Sequence, residues 1–215
     1  MIYGERTELP GLVRGKEPAL YEEIERMILE EEDGIGMVVF SVSAAHSLYD
    51  YYSREHIQAV ATFIEQRYPG GRVLEVGAGD GRLTRFLEWA GIKMLQPTDV
   101  RDERRSECDI KVEHYGTNVK AMEATQAARK YKPDLVVWAW PPYQSHVPED
   151  ILDLGYPLLY IGEGNGGCCA ADALWGYPNE MVDGCLGTQI CRTDIAFSGR
   201  LMAHHSRTIL FHPAE

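Results

Sequence analysis

The stretch that decides the fold is RVLEVGAGDG, residues 72–81. Its first half, residues 72–76, is a short and mostly apolar run with β-branched side chains, which is typical of a buried strand. Its second half carries a glycine at every second position, and beyond it the apolar residues of 82–90 recur at helical spacing. A strand, a glycine turn and a helix in this order predict the opening of a βαβ unit.

The rest of the chain alternates between short apolar runs typical of strands and apolar residues at helical spacing. Helical spacing occurs over residues 17–32 and again in a helix that begins at a candidate N-cap, Ser53. This order predicts an α/β protein with a doubly wound, mostly parallel sheet covered by helices on both faces. We expect an N-terminal arm and helical cap over residues 1–52 and a sheet domain over residues 53–215. Further strands are predicted at residues 92–97, 118–122, 134–138, 158–161 and 208–211.

The composition is that of an acidic globular protein. The 215 residues include 21 Lys and Arg against 33 Asp and Glu, a formal net charge of −12, and 45% are hydrophobic. This balance argues against nucleic acid or an anionic membrane as a partner. No apolar stretch approaches the roughly 20 residues of a membrane helix, and the N-terminus lacks the apolar segment of a signal peptide. We therefore expect a cytoplasmic protein with mostly reduced cysteines, and the sequence does not indicate its oligomeric state.

The residues around the glycine turn indicate which ligand it suits. Glycines allow a positive φ and a close approach of the backbone to a ligand. The dinucleotide fingerprint GxGxxG would require a glycine at position 82, where this chain has Arg82. Glu75, two positions before the first glycine, favours a ligand with a positive group, such as the ammonium of an amino acid, over a pyrophosphate.

The segment EVGAGDG, residues 75–81, resembles motif I of the class I S-adenosylmethionine-dependent methyltransferases. The resemblance implies a seven-stranded, Rossmann-like sheet and S-adenosylmethionine as the cofactor. It also implies that Glu75 helps to hold the methionine ammonium. In this family the backbone of the turn lies under the methionine and ribose, which here corresponds to Gly77, Ala78, Gly79 and Gly81.

Two further acids follow the next predicted strands. Asp99 lies where a carboxylate can accept from both hydroxyls of a ribose. Asp102 is its rival in a charged run that could also be a solvated loop, and Asp99 is favoured because it comes first after the apolar run. The resemblance implies that Glu123 contacts the adenine amino group, although a surface glutamate at a helix start has the same pattern. It also implies that Tyr52 covers the cofactor, because Tyr52 lies just before the helix that precedes motif I.

The segment Trp140-Pro-Pro-Tyr143 resembles motif IV of amino-group methyltransferases, which usually begins with Asn or Asp. In that family the Asn or Asp accepts hydrogens from the target amine. The indole of Trp140 is only a donor, so methylation of adenine, cytosine or a glutamine amide by that scheme is not expected. Trp138, Trp140 and Tyr143 form an aromatic wall for a sulfonium or planar ligand. Alternatively, Trp138 belongs to the core, and Trp140 and Tyr143 pack the loop.

Three residues are candidates for catalysis near the predicted strand ends. Tyr143 ends the Pro-Pro-Tyr loop, and His146 follows it closely as a proton acceptor. Glu163 lies among four glycines and would act as a general base or substrate anchor, or else belongs to a solvated turn. The histidines and cysteines match no standard zinc spacing, so no metal is expected.

Together these features predict a methyltransferase that uses S-adenosylmethionine to methylate an N or O atom of a small-molecule acceptor, or less favourably of a protein. Two other classes stay open at this stage. One is a non-catalytic S-adenosylmethionine-binding scaffold, because motif IV is altered. The other is an NAD(P)-dependent oxidoreductase, which the arginine at position 82 disfavours.

Overall fold

In a computed structural model of the chain, the described residues are 17–29, 49–100, 118–164, 167, 169–191, 194 and 205–214. The α-helices within them are α1 (Tyr21–Leu29), α2 (Arg54–Arg67), α3 (Arg82–Trp89), α4 (Ala124–Tyr131) and α5 (Val147–Asp153), and a 3₁₀ helix spans Asp172–Gly176. The strands are β1 (Asp50–Tyr52), β2 (Val73–Glu75), β3 (Thr98–Asp99), β4 (Lys120–Ala121), β5 (Leu135–Ala139), β6 (Leu158–Glu163), β7 (Asn179–Met181), β8 (Gln189–Cys191) and β9 (Ser206–Phe211).

The central sheet is mixed and contains five strands in the order β2-β5-β6-β9-β7. Strands β2, β5 and β6 run parallel, whereas β9 is antiparallel to both of its neighbours. The short parallel pair β3–β4 lies beside β2, because isolated parallel bridges join Val73 to Met94 and Val76 to Thr98. The predicted α/β class is confirmed.

Helices cover both faces of this sheet because successive strand residues point to opposite sides. On one face, Leu135 and Val137 of β5 are buried against α2 and α3. On the other face, Val136 and Trp138 are buried together with residues of α4 and α5. Strand β5 lies between two parallel neighbours and has helices on both faces, so its consecutive apolar residues are buried on both sides of the sheet.

The predicted helix after Ser53 is confirmed as α2. The Ser53 hydroxyl oxygen accepts from the backbone N–H of His56 at 3.0 Å, which satisfies a donor at the helix N-terminus. The apolar stripe of this helix is buried, as the spacing predicts, and consists of Ile57, Val60, Ala61 and Ile64.

One strand prediction was wrong in its position. Residues 92–97 form only the bridge at Met94, and regular pairing begins at Thr98. Pro97 has no N–H with which to continue a ladder, so β3 starts just after it. The sequence did not reveal the short elements β1, β7, β8 and α5.

Strand β1 belongs to the N-terminal part of the chain, yet it pairs antiparallel with β8, with Asp50 opposite Cys191. This pairing holds residues 49–52 over the edge of the sheet. The division of the chain at residue 52 stays a prediction, and residues 1–16 and 30–48 lie outside the described residues. No helix in the described part is long and apolar enough to cross a membrane.

Candidate functional site

A cavity of about 470 Å³ opens where β2, β3 and β5 end. Its wall is formed by the glycine turn, by residues 49–52 and by the segments that lead into α4 and α5. Ligand sites of open α/β sheets lie at this carboxyl edge. Eight of the twelve predicted site residues line the cavity: Tyr52, Glu75, Gly77, Ala78, Gly79, Asp99, Glu123 and Trp140.

Two glycines of the turn are required for different reasons, and one of them lies against the side chain of Trp138. Gly77 has φ 60°, and a Cβ built there would overlap the indole nitrogen of Trp138. Gly79 has φ 54° but no atom within 4 Å of such a Cβ. Gly77 is therefore required for the approach of an aromatic side chain, whereas Gly79 is required for backbone conformation alone.

The turn is tied to β3 by two hydrogen bonds. The Gly79 N–H donates to Oδ2 of Asp99 at 2.9 Å, and the Ala78 N–H donates to the Thr98 carbonyl at 3.0 Å. Asp99 is half-buried at the cavity wall. Its carboxylate thus holds the turn and faces the space where a ligand would lie, and its role toward a ribose stays a prediction.

Glu75 is a buried carboxyl group at the end of β2, with 2% of its surface exposed. Its Oε2 accepts from the Thr84 backbone N–H at 2.9 Å and from the Thr84 hydroxyl. Burial raises the pKa of Glu75 to about 8, and the charges of Asp80 and Asp99 act in the same direction, against the effect of the Thr84 donors. A cation in the cavity would stabilise the ionised form of this group.

Glu123 and Tyr52 both line the cavity. Glu123 is exposed at the start of α4 and makes no side-chain hydrogen bond to the helix N-terminus. Tyr52 is 9% exposed and stacks on His56 with 6.1 Å between ring centroids. Burial raises the pKa of Tyr52 well above its ordinary value, so its hydroxyl stays protonated. Their contacts with a cofactor stay predictions.

Trp140 has a left-handed backbone conformation, with φ 55°. Such a conformation costs about 1–3 kcal/mol in a residue other than glycine, and a residue that precedes proline normally avoids it. The indole N–H of Trp140 donates to Oδ2 of Asp50 at 3.2 Å, and its ring stacks on Tyr49 with 5.8 Å between centroids. The expected donor role of this indole therefore has a specific partner in the structure.

Asp50 is a cavity residue that sequence reasoning missed. It is 1% exposed, and Oδ2 accepts from both Trp140 and the Ser206 hydroxyl, the latter at 3.3 Å. Its other oxygen, Oδ1, is buried and has no hydrogen-bond partner among the described residues. Burial raises the pKa of Asp50 well above its ordinary value, against the effect of the Trp140 donor. The only sequence signal was one acid between tyrosines just before a helix N-cap.

Arg82 is the second residue that was missed as part of the site. It is 7% exposed, with Nη2 3.6 Å from Oδ2 of Asp80 and with Nε lacking a partner in the part of the chain that the structure describes. It is the only basic residue among the described residues that line the cavity. Against it stand six acids: Asp50, Glu75, Asp80, Asp99, Glu123 and Asp150.

Four predicted site residues lie off the cavity lining. Gly81 is buried before α3, Tyr143 is 64% exposed, and the exposed His146 has Nδ1 3.3 Å from Oε1 of Glu149. Glu163 ends β6 opposite Ser206. The structure does not bring Tyr143, His146 and Glu163 onto the wall with the other eight, and their catalytic roles stay predictions.

The described residues contain no group of three or more His, Cys, Asp or Glu that could hold a metal ion. Cys169, Cys185 and Cys191 are buried. Asp102, the rival of Asp99, lies outside the described residues.

No protein-family model and no curated protein matches the chain. Among solved structures it is similar to a putative methyltransferase complexed with SAH (10% identity, 66% of this chain and 45% of that chain, TM-score 0.35). It is also similar to a putative SAM-dependent methyltransferase from Streptococcus mutans (8%, 71% and 47%, TM-score 0.39) and to a SAM-dependent methyltransferase from Archaeoglobus fulgidus (12%, 72% and 93%, TM-score 0.37). The chain spans about half the length of the first two. Because similarity at this level does not transfer an activity, the function depends on the residues around the chain's own cavity.

Proposed function

We propose that this chain is an S-adenosylmethionine-dependent methyltransferase that methylates an N or O atom of a small-molecule acceptor. The observation that carries the proposal is the acid-lined cavity at the ends of β2 and β3, where buried Glu75 lies beside a glycine turn that is tied to Asp99. Its six acids and one arginine favour a ligand with net positive character.

The residues present fit the groups of this cofactor. Glu75 would hold the methionine ammonium, because a nearby cation relieves the cost of ionising a buried carboxyl group. The Arg82 guanidinium, whose Nε lacks a partner among the described residues, would hold the methionine carboxylate. Asp99 would accept from the ribose hydroxyls, and Glu123 would accept from the adenine amino group.

The strand order supports the proposal. Taken with the bridges at Val73 and Val76, the strands follow one another as β4-β3-β2-β5-β6-β9-β7, with β9 reversed. We propose that they form a single seven-stranded sheet of the class I methyltransferase type. In that sheet β3 and β4 lie on one side of β2, and β5 lies on the other. The cavity opens between them, at the switch point where the strand order reverses.

The cofactor supplies an electrophilic methyl group on a positively charged sulfur. The chain contributes position and environment: Glu75, Arg82 and Asp99 orient one end of the cavity, while Trp140 and Tyr49 present stacked rings at the other. Aromatic faces attract cations and exclude water, which favours alignment of two reactants. A volume of about 470 Å³ suits a nucleoside and a small acceptor.

The two other candidate classes make different demands on this site. A pyrophosphate at the start of α3 would face the carboxylates of Glu75, Asp80 and Asp99, so a nicotinamide dinucleotide is disfavoured. A non-catalytic scaffold would bind S-adenosylmethionine and transfer no methyl group.

Calorimetry with S-adenosylhomocysteine tests the assignment. We expect Glu75→Ala and Asp99→Ala each to weaken binding by about tenfold or more, since each removes a charge-assisted hydrogen bond. Glu88→Ala, on the exposed side of α3, is the matched control and should bind as the original chain does. Unchanged affinity in both site variants would refute the site, and binding without transfer to any of a panel of small amines and hydroxyl compounds would favour the scaffold.

A further inference from the structure

The cavity has two chemically distinct ends. Glu75, Asp99 and Glu123 lie where β2, β3 and β4 end, on one side of the switch point. Asp50 lies on the other side, because its carboxyl group is bonded to Trp140 at the end of β5 and to Ser206 at the start of β9. The proposed cofactor contacts use the first end and leave the second for the acceptor.

Asp50 is held at this end by several elements. Its strand pairs with β8, and Ser206 also accepts a hydrogen bond from Gln189 of β8. The Trp140 donor comes from a residue with a costly positive φ, a conformation that persists only where the surroundings enforce it. Together these contacts fix the direction of the carboxyl group while satisfying only Oδ2.

The second oxygen of Asp50 is the unusual feature. Oδ1 is buried and lacks a partner among the described residues, while the residue lines the cavity. A buried carboxylate oxygen without a donor is costly, and a ligand hydrogen would satisfy it. Beside it lie the stacked rings of Trp140 and Tyr49, whose faces favour a cation.

The charge of the cavity decides which ligand group matches this oxygen. The described lining has six acids and one base, Arg82, which the proposed function assigns to the methionine carboxylate. A carboxylate or phosphate on the acceptor would meet repulsion, and an alcohol would bring one weak donor. A protonated amine brings charge and several donors together, and a proton passed from it to the ionised Asp50 would leave the lone pair that methyl transfer requires.

We propose that Asp50 binds the N–H donors of the methyl acceptor, and that the acceptor is therefore a small amine. This inference rests on the proposed function for the meaning of "acceptor", but the binding itself is a property of the chain alone. It also explains the tryptophan of motif IV: Asp50, held by the Trp140 indole, supplies the hydrogen-bond acceptor that the indole lacks.

The test is a titration followed by the indole N–H signals in ¹⁵N–¹H spectra, with Trp140 assigned from Trp140→Phe. The probes are benzylamine, benzyl alcohol and benzoate, which share a ring and differ in the polar group. We expect benzylamine to shift the Trp140 signal and to bind about tenfold or more tighter than benzyl alcohol, because a charge-assisted hydrogen bond is formed. Equal binding of the three probes would overturn the proposal.

Asp50→Asn separates recognition from structure, since asparagine keeps an oxygen for the Trp140 and Ser206 donors but loses the charge. We expect it to lose most of the preference for benzylamine, whereas Asp172→Asn, at an exposed carboxylate away from the cavity lining, should keep it. A preference that survives in Asp50→Asn would make the role of Asp50 purely structural and overturn the proposal. If Asp50→Asn fails to fold, the comparison of the three probes on the original chain still decides the substrate class.

The titration also separates this inference from the proposed function. It is run without and with S-adenosylhomocysteine. A preference for benzylamine without any binding of S-adenosylhomocysteine would leave the amine site standing and reject the methyltransferase. Binding of S-adenosylhomocysteine without that preference would reject only the amine site.

Discussion

The free energy of unfolding of the original chain should fall as pH rises, because Glu75 is buried, and Glu75→Gln should remove this pH dependence. The pKa of Glu75 rises from 4.5 to about 8 because the side chain is buried, with 2% of its surface exposed. A difference of about 3.5 pKa units corresponds to about 5 kcal/mol at 1.36 kcal/mol per unit. Because the folded state binds the extra proton between these two values, the free energy of unfolding falls as pH rises across that window.

The assay is urea denaturation of the original chain and of Glu75→Gln at intervals from pH 5 to pH 9. The difference in unfolding free energy, variant minus original, should grow by about 1.4 kcal/mol per pH unit and level off above about pH 8. Glu88→Gln, an exposed glutamate on α3, is the control and should show a constant difference. A constant difference for Glu75→Gln as well would refute the assignment of Glu75 as a buried, largely neutral acid.

Three further predictions concern the turn, the cap and the ligand. Gly77→Ala should lower stability by about 2–5 kcal/mol in thermal or urea unfolding, because its Cβ would overlap Trp138 and its φ is positive. Gly79→Ala should cost only about 1–2 kcal/mol, because only its φ is unfavourable. Equal losses in the two variants would contradict the packing argument. In the same unfolding assay Ser53→Ala should cost about 1–3 kcal/mol, because the buried hydroxyl both caps α2 and donates to the Thr188 carbonyl, and an unchanged stability would contradict this role. The affinity for S-adenosylhomocysteine, measured by calorimetry, should rise between pH 6 and about pH 8 as Glu75 ionises more easily, and a flat profile would contradict ligand binding at this carboxyl group.

The parts of the fold that were predictable depend on local pattern. Val73–Glu75, the glycine turn and α3 follow one another within 17 residues, so apolar period and turn residues suffice. The cap of α2 is equally local, because Ser53 and His56 are three residues apart. Strand β1 was missed because its partner, β8, lies far along the chain and both strands have only three residues.

The site was predictable only where a motif carried it. Glu75 and Asp99 are the last residues of β2 and β3, and each comes at the end of an apolar run, so both could be placed at the carboxyl edge of the sheet. Asp50 could not, because its position depends on the pairing of β1 and on the positive φ of Trp140. Arg82 was weighed only as a departure from the dinucleotide fingerprint, and its burial in the cavity wall depends on tertiary packing.

The central claim is that a buried carboxyl group and a glycine turn at the end of β2 bind a sulfonium nucleoside. The most direct measurement is a crystal structure of the chain with S-adenosylhomocysteine. The account predicts density in the cavity, with the amino-acid end at Glu75 and the ribose at Asp99. Density for the ligand elsewhere on the chain, or a phosphate-bearing molecule from the cell in this cavity, would contradict it.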